Sequence, residues 1–115
     1  MSMTKIFLTI CFLLFIWAFF IEPNLIVIRQ YGVKSLDGKK IVFASDFHVS
    51  KHDKKRLERI VDIINKQNPD LVLFGGDYVK GHNGENTMPI EEQVKIFKQI
   101  KAPIVSIVGN HDGWY

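Results

Sequence analysis

The chain has 115 residues, a formal net charge of +3 and one cysteine. This length allows one small folded domain, and a single cysteine excludes an internal disulfide framework. The modest positive charge comes without an aromatic stripe or a basic cluster, so we expect no nucleic-acid partner.

The first element is an uncharged apolar segment, Ile6–Ile21, which directly follows Lys5. A run of this length and composition predicts one transmembrane helix. A cleaved signal peptide is the alternative, but it needs small residues at the end of the run, where the sequence offers only Ala18. We therefore predict a membrane anchor over residues 1–22 and a single-pass membrane protein. Basic residues flank the segment on both sides, so the charge pattern leaves the side of the membrane open.

Short apolar runs alternate with amphipathic stretches in the remaining residues, 23–115, which we assign to one domain. The run Leu25–Tyr31 predicts a strand that pairs antiparallel, across a turn, with a second strand at Lys40–Ala44. The continuous apolar run Leu71–Phe74 predicts a strand that is covered on both faces. A further strand is predicted at Ile104–Val108, after Pro103.

The stretch between the second and third predicted strands has the pattern of an amphipathic helix. It begins at Asp53, an N-cap residue, and ends near Lys66. Its apolar residues recur at i, i+3, i+4 and i+7 and are expected to face the sheet: Leu57, Ile60, Val61 and Ile64. Basic residues alternate with acidic ones on the rest of its surface, which predicts a solvated face carrying Lys51, Lys54, Lys55, Arg56 and Arg59.

A second amphipathic helix is predicted over Ile90–Ile100, with Val94, Phe97 and Ile100 facing inward. A polar, glycine-containing loop, Lys80–Met88, precedes it. The order from Lys40 onward is then strand, helix, strand, helix, strand, which predicts right-handed crossovers and a mainly parallel α/β sheet.

Polar residues that can bind metal ions follow each strand of this predicted sheet. In an open α/β sheet the ligand crevice lies at the carboxyl ends of the strands. Three segments meet there: Ser45–His48, Gly75–Tyr78 and Gly109–Gly113. Taken singly, they could be a surface loop, a turn and a helix cap at Asn110 or Asp112. Their recurrence at three successive strand ends favours one shared site.

The residue types in these segments indicate a site for divalent metal ions. Asp46 and His48 are two residues apart on an extended exit from a strand, so both side chains point to one side and can bind one ion. Oxygen and imidazole ligands without a thiolate favour Mn, Fe or Zn over a cysteine-based zinc site. Asp77, on the middle strand, is placed to bridge two such ions.

The motifs Asp46-x-His48, Gly76-Asp77 and Gly109-Asn110-His111-Asp112 resemble the first three motifs of the calcineurin-like metallophosphoesterase superfamily. The resemblance covers Lys40–Tyr115. With the N-terminal apolar segment, the chain most resembles the membrane-associated branch, which includes bacterial phosphodiesterases and a UDP-2,3-diacylglucosamine pyrophosphatase of lipid A synthesis. The resemblance implies the N-terminal half of a β-sandwich flanked by helices. It also implies a hydrolase that acts on phosphoesters or pyrophosphates, lipid-linked ones included.

The resemblance assigns a role to each motif residue. Two divalent ions are implied: Asp46 and His48 would bind the first, Asp77 would bridge both, and Asn110 would bind the second. His111 would stabilise or protonate the leaving oxygen of the phosphate, and Asp112 would orient His111. The implied spacers are Gly75, Gly76 and Gly109. Outside the motifs, His52 and His82 are predicted to be loop residues, and Trp114 is a candidate pocket residue.

The superfamily completes its metal site with a later His and a Gly-His-x-His motif, which these residues do not contain. We therefore expect the 115-residue chain alone to be inactive. Three hypotheses remain: part of a hydrolase, a membrane-bound module that binds metal or phosphate without turnover, and an interaction protein. In the last, the exposed half-sheet would dock on a separately encoded second half.

Overall fold

The computed structural model describes residues 1–81 and 85–114, with the side chain of Trp114 left out. The described chain divides into two compact units, Met1–Tyr31 and Gly32–Tyr115. His82, predicted to be a loop residue, and the predicted pocket role of the Trp114 side chain lie outside what is described.

The first unit is dominated by one helical segment. Helix α1 spans Met3–Ile16 and begins at Ser2, whose hydroxyl accepts a hydrogen bond from the Lys5 amide. A wider π-helical turn, Trp17–Ile21, and a 3₁₀ turn continue it, so that the helical segment covers Met3–Asn24, 22 residues. At 1.5 Å per residue it is about 33 Å long, enough to cross the hydrocarbon core of a bilayer. By length and composition this helix could span a membrane.

The predicted strand Leu25–Tyr31 is wrong. These residues have no regular structure, and Leu25, Val27 and Tyr31 are 50%, 70% and 78% exposed. The predicted antiparallel pair is also wrong, because the strand that was to be its partner pairs in parallel with a later one. An apolar run becomes a strand only where a neighbour takes up its backbone hydrogen bonds.

The second unit is built on a parallel sheet of three strands. They are β1 (Ile41–Ala44), β2 (Leu71–Phe74) and β3 (Ile104–Ser106), in the spatial order β1-β2-β3. Val42 lies opposite Val72, which in turn lies opposite Ile104. The strands alternate in sequence with helices α2 (Lys54–Lys66) and α3 (Ile90–Phe97). The predicted α/β class, the parallel pairing and the order of elements are thus confirmed.

The core lies between the helices and one face of the sheet. Leu57, Val61 and Ile64 of α2 are buried as predicted, and Ile60 is partly buried against them. In α3 the prediction for Val94 is wrong, because this side chain is 41% exposed. Helix α3 instead buries Gln93, which is tolerated because its Nε2 donates a hydrogen bond to the Met88 carbonyl.

The opposite face of the sheet is open within the described residues. Phe43 of β1 and Val105 of β3 are 68% and 55% exposed, on either side of Leu73 in β2. The prediction that Leu71–Phe74 is covered on both faces is therefore not met by the part of the chain that is described. The second sheet of the predicted β-sandwich stays a prediction.

Candidate metal centre

Three loops at the carboxyl edge of the sheet carry the predicted site residues. We call them the first (45–50), second (75–79) and third (109–112) ligand loops. The first two run side by side: the His48 amide donates to the Asp77 carbonyl at 2.9 Å, and the Val49 amide donates to the Tyr78 carbonyl at 2.8 Å. The parallel ladder of β1 and β2 therefore resumes beyond the strands and sets the two loops in register.

The buried side chain of Phe47 anchors the first ligand loop to the core. It is 3% exposed, and its ring centroid lies 4.8 Å from that of Phe74 and 5.2 Å from that of Phe97. The backbone at Asp46 and His48 is left-handed and not extended as predicted, but both side chains still reach the surface, where they are 67% and 37% exposed. Asp46 Oδ1 lies 3.6 Å from His48 Nε2, so the structure brings this predicted pair of ligands together.

The imidazole of His48 is oriented by a backbone carbonyl. His48 Nδ1 lies 3.1 Å from the carbonyl oxygen of Val79, which can only accept a hydrogen bond. Nδ1 must therefore carry the proton in this contact, which leaves the lone pair of Nε2 available to a metal ion. A backbone acceptor behind a histidine is a common way to fix the tautomer and ring direction of a ligand.

His48, Asp77 and His111 come from the three different loops and converge. One ligand atom of each lies within 4.8 Å of the others, and the two imidazole ring centroids are 5.0 Å apart. The His111 amide also donates to Asp77 Oδ1 at 2.9 Å, which ties the third loop to the second. Two imidazoles and a carboxylate are a donor set that suits Mn, Fe or Zn. The residues present thus fit a divalent ion.

Three of the candidate ligands have a left-handed backbone. The φ angles are 57° at Asp46, 41° at His48 and 59° at Asp77. Such angles are uncommon outside glycine and cost about 1–2 kcal/mol per residue. Strained backbone that the surrounding contacts maintain is characteristic of functional sites.

Asp112 connects the second and third loops. Its Oδ2 accepts hydrogen bonds from the amides of Asp77 at 2.9 Å and Gly109 at 2.7 Å, while Oδ1 accepts from Tyr78 at 2.7 Å and Val79 at 3.2 Å. Partial burial alone would raise the pKa of Asp112, but these four donors outweigh it and hold the pKa below its usual value. The carboxylate is thus bound to backbone groups, and the orientation of His111 by Asp112 stays a prediction.

The predicted glycine spacers stand where a side chain has no room. A Cβ atom on Gly76, whose φ is +92°, would overlap the backbone of Gly109. A Cβ atom on Gly109 would in turn overlap both the backbone and the carboxylate of Asp77. At Gly75 it would lie 2.8 Å from the Phe43 ring. The close approach of the second and third loops therefore depends on glycine.

The remaining predicted ligand, Asn110, is exposed and stands beside His111 in the third loop. Arg56 was missed as a residue of this region. It was assigned to a solvated helix face, but its side chain is only 27% exposed and its Nη2 donates to the Phe47 carbonyl at 2.6 Å. The sequence signal that could have indicated this is the i, i+3 spacing of Asp53 and Arg56, which suits an ion pair at a helix start.

A cavity of about 280 Å³ lies elsewhere, between α3 and the strands β2 and β3. Its walls are mainly apolar, and no candidate ligand lines it. Tyr78 does line it, and burial raises the pKa of that phenol above its usual value, so it stays neutral. The polar edge of the sheet, and not this cavity, is therefore the candidate site.

Comparison with known proteins supports the same region. The sequence profile of the calcineurin-like phosphoesterase family matches residues 39–115. The chain is 30% identical, over 105 residues, to the uncharacterized metallophosphoesterase YkuE of Bacillus subtilis, a match that covers 84% of this chain and 36% of the relative. It is 29% identical, over 92 residues, to a transmembrane protein with a metallophosphoesterase domain from Danio rerio, covering 71% of this chain and 20% of the relative. No solved structure matches it at a significant level.

Proposed function

This chain belongs to the calcineurin-like phosphoesterase family. From that premise we propose that it forms part of a metal-dependent phosphoester hydrolase. The observation that carries the proposal is the convergence of His48, Asp77 and His111, from three separate loops, at the carboxyl edge of a parallel sheet. The chain spans about a third or less of the relatives it matches, so the activity is proposed for the whole protein.

The residues of the edge have distinct tasks in this proposal. His48 presents Nε2 because Val79 holds the opposite ring nitrogen, and Asp77 presents a carboxylate between the two imidazoles. Divalent ions bound here would supply Lewis acidity, which activates water and neutralises charge on the phosphoryl group. His111 would stabilise or protonate the leaving oxygen, as the resemblance to the superfamily implies.

We propose two ions, shared through Asp77. Asp46 lies beside His48 and would complete the ligands of one ion, while Asn110 in the third loop would serve the other. This assignment of ligands to ions rests on the resemblance of the three motifs to those of the superfamily. Asp112 holds the second and third loops together, so that Asp77 and His111 keep their separation.

For the substrate we propose a phosphodiester or pyrophosphate that is held at a membrane. The helical segment Met3–Asn24 is long and apolar enough to anchor the protein there, and one relative is named as a transmembrane protein. A lipid-linked phosphate group would lie at the bilayer surface, within reach of an anchored domain.

A membrane-bound module that binds metal without turnover is the second candidate. It is favoured by one observation: within the described residues the three ligand atoms converge on one position, as they would for a single ion. Binding without hydrolysis distinguishes this candidate from the first.

The test is Mn²⁺ binding by the full chain in detergent micelles, followed by electron paramagnetic resonance. We expect Asp77→Ala to weaken binding at least about 100-fold, because it removes a direct ligand. The control is Asp70→Ala, which removes an exposed carboxylate just before β2, at the opposite edge of the sheet. Equal binding by wild type and Asp77→Ala would contradict both candidates.

Hydrolysis of bis-p-nitrophenyl phosphate is then measured for the 115-residue chain and for the product of the complete reading frame. Mn²⁺-dependent turnover by the latter, lost in Asp77→Ala, supports the hydrolase. Mn²⁺ binding with no turnover by either protein supports the binding module instead.

A further inference from the structure

We infer that Arg56 is a positioning residue that holds the first ligand loop in its metal-binding shape. The inference rests on the proposed function, since it concerns how Asp46 and His48 are presented to a metal ion. Arg56 belongs to α2 and matches none of the motifs of the site. Its guanidinium nevertheless reaches the peptide that lies between the two candidate ligands.

The contacts of Arg56 close a ring over the first ligand loop. Its Nη2 donates to the Phe47 carbonyl at 2.6 Å and to Asp53 Oδ2 at 3.2 Å. The same carboxylate oxygen accepts a hydrogen bond from the Ser50 amide at 2.8 Å. The loop from Phe47 to Ser50 is thus held at both ends by one ion pair at the start of α2.

The ion pair is sheltered enough to hold this geometry. The side chains of Arg56 and Asp53 are each 27% exposed, whereas two other ion pairs of α2, Lys54 with Glu58 and Lys66 with Asp62, have lysines about 70% exposed. Partly buried charges are screened less by salt, and hydrogen bonds from a charged donor are the strong ones. Arginine also keeps its charge and its planar donor geometry, which lysine does not reproduce.

The contacts of Asp53 show that its ion pair with Arg56 is not an ordinary helix cap. Asp53 stands at the N-cap position of α2, yet its side chain accepts no hydrogen bond from the backbone amides of the first helical turn. Its carboxylate is turned instead to Ser50 and Arg56. The side chain of this N-cap residue therefore stabilises the first ligand loop and not the helix start.

The strained backbone of the first ligand loop requires contacts that hold it in place. Asp46 and His48 both have positive φ angles, and Phe47 lies between them with its carbonyl bound to Arg56. Conformations of this kind persist only where surrounding contacts maintain them. Without Arg56, the peptide that follows Phe47 keeps only the hydrogen bond from the His48 amide to the Asp77 carbonyl, so His48 would be held less firmly in the position that it shares with Asp77.

The test compares Arg56→Met, Arg56→Lys and the control Arg59→Met in the full chain in detergent micelles. Arg59 is exposed on the same helix, so its replacement removes the same charge without touching the loop. Amide hydrogen exchange of the metal-free protein is measured by NMR. We expect Arg56→Met to accelerate exchange at the amides of His48 and Val49 about 10-fold or more. The amides of Val61 and Ile64 in α2 should stay unchanged.

The second measurement is Mn²⁺ affinity. We expect a loss of about 10-fold to 100-fold in Arg56→Met, as for other residues that orient a ligand, partial recovery in Arg56→Lys, and no loss in Arg59→Met. Unchanged exchange at His48, or equal acceleration throughout α2 and the loop, would overturn the inference. If the chain extended through the downstream reading frame also fails to bind Mn²⁺, the proposed function falls, while the metal-free exchange still decides whether Arg56 holds the loop.

Discussion

The two halves of the ligand edge are held in different ways. The second and third loops are joined directly: Asp112 accepts four backbone amides, and Gly76 lies against Gly109 with no space for a side chain. The first loop shares backbone hydrogen bonds with the second, and its remaining support comes from outside the edge, from the Phe47 ring in the core and from Arg56 of α2. The contact between the second and third loops has no room for an added atom, whereas the support of the first loop comes from side chains that can be substituted.

This difference predicts where a substitution affects stability and where it affects the placement of ligands. Changes between the second and third loops should lower the free energy of unfolding, because they force the backbones apart. Changes around Arg56 should leave most of that free energy intact and disturb the first loop alone.

Gly76→Ala should have the largest effect. Its φ of +92° costs an alanine about 1–2 kcal/mol, and the overlap of the new Cβ with the Gly109 backbone adds about 1–3 kcal/mol for overpacking. Gly81→Ala is the matched control, because Gly81 has a φ of +77° and no atom of the described residues lies within 4 Å of the position of a Cβ. Urea unfolding in micelles gives both values. Equal losses in the two variants would show that the loops can separate without cost.

Asp112→Asn should come next, with a loss of about 1.5–3 kcal/mol, since the amide presents an NH₂ group to amides that now bind a carboxylate oxygen. The control is Asp70→Asn. Asp70 also accepts a backbone amide, from Lys40 at 2.8 Å, but its side chain is 48% exposed. We expect the control to lose less than about 1 kcal/mol. A loss in Asp112→Asn no larger than in the control would mean that this carboxylate does not hold the loops together.

The same contrast explains which features could be predicted from the sequence. The parallel sheet, the apolar face of α2 and the three ligand loops follow from local patterns: a 3.6-residue period, short apolar runs, and polar motifs directly after them. The contacts that hold the loops are not local. Asp112 meets Asp77 across 35 residues, and no spacing rule connects them.

The incorrect predictions for Leu25–Tyr31 and for Val94 have the same origin. Leu25–Tyr31 has a strand-like composition, but strand formation requires a partner that a local pattern cannot supply. Val94 has the helical spacing of a core residue, yet α3 buries Gln93 instead, whose Nε2 donates a hydrogen bond to the Met88 carbonyl. In both cases hydrogen bonding, which the pattern of apolar residues does not report, decided the outcome.

Asp53→Asn should have the smallest effect on the free energy of unfolding, and this effect should depend on pH. Partial burial would raise the pKa of Asp53, but hydrogen bonds from Ser50 and Arg56 and the Arg56 charge outweigh it and lower the pKa below the usual 3.8. A carboxyl group with a lowered folded-state pKa stabilises the fold fully above its unfolded-state pKa, and loses this contribution as the pH falls through the folded-state value.

Wild type should therefore exceed Asp53→Asn in unfolding free energy by about 1 kcal/mol at pH 7, and the difference should shrink once the pH falls below about 3.8. Urea unfolding between pH 3 and 7 measures this difference, with Asp62→Asn, an exposed carboxylate on the same helix, as the control. A difference that stays constant down to pH 3 would show that the Asp53 carboxylate is not bound in the folded state. The support of the first ligand loop would then rest on the contact between Arg56 and the Phe47 carbonyl alone.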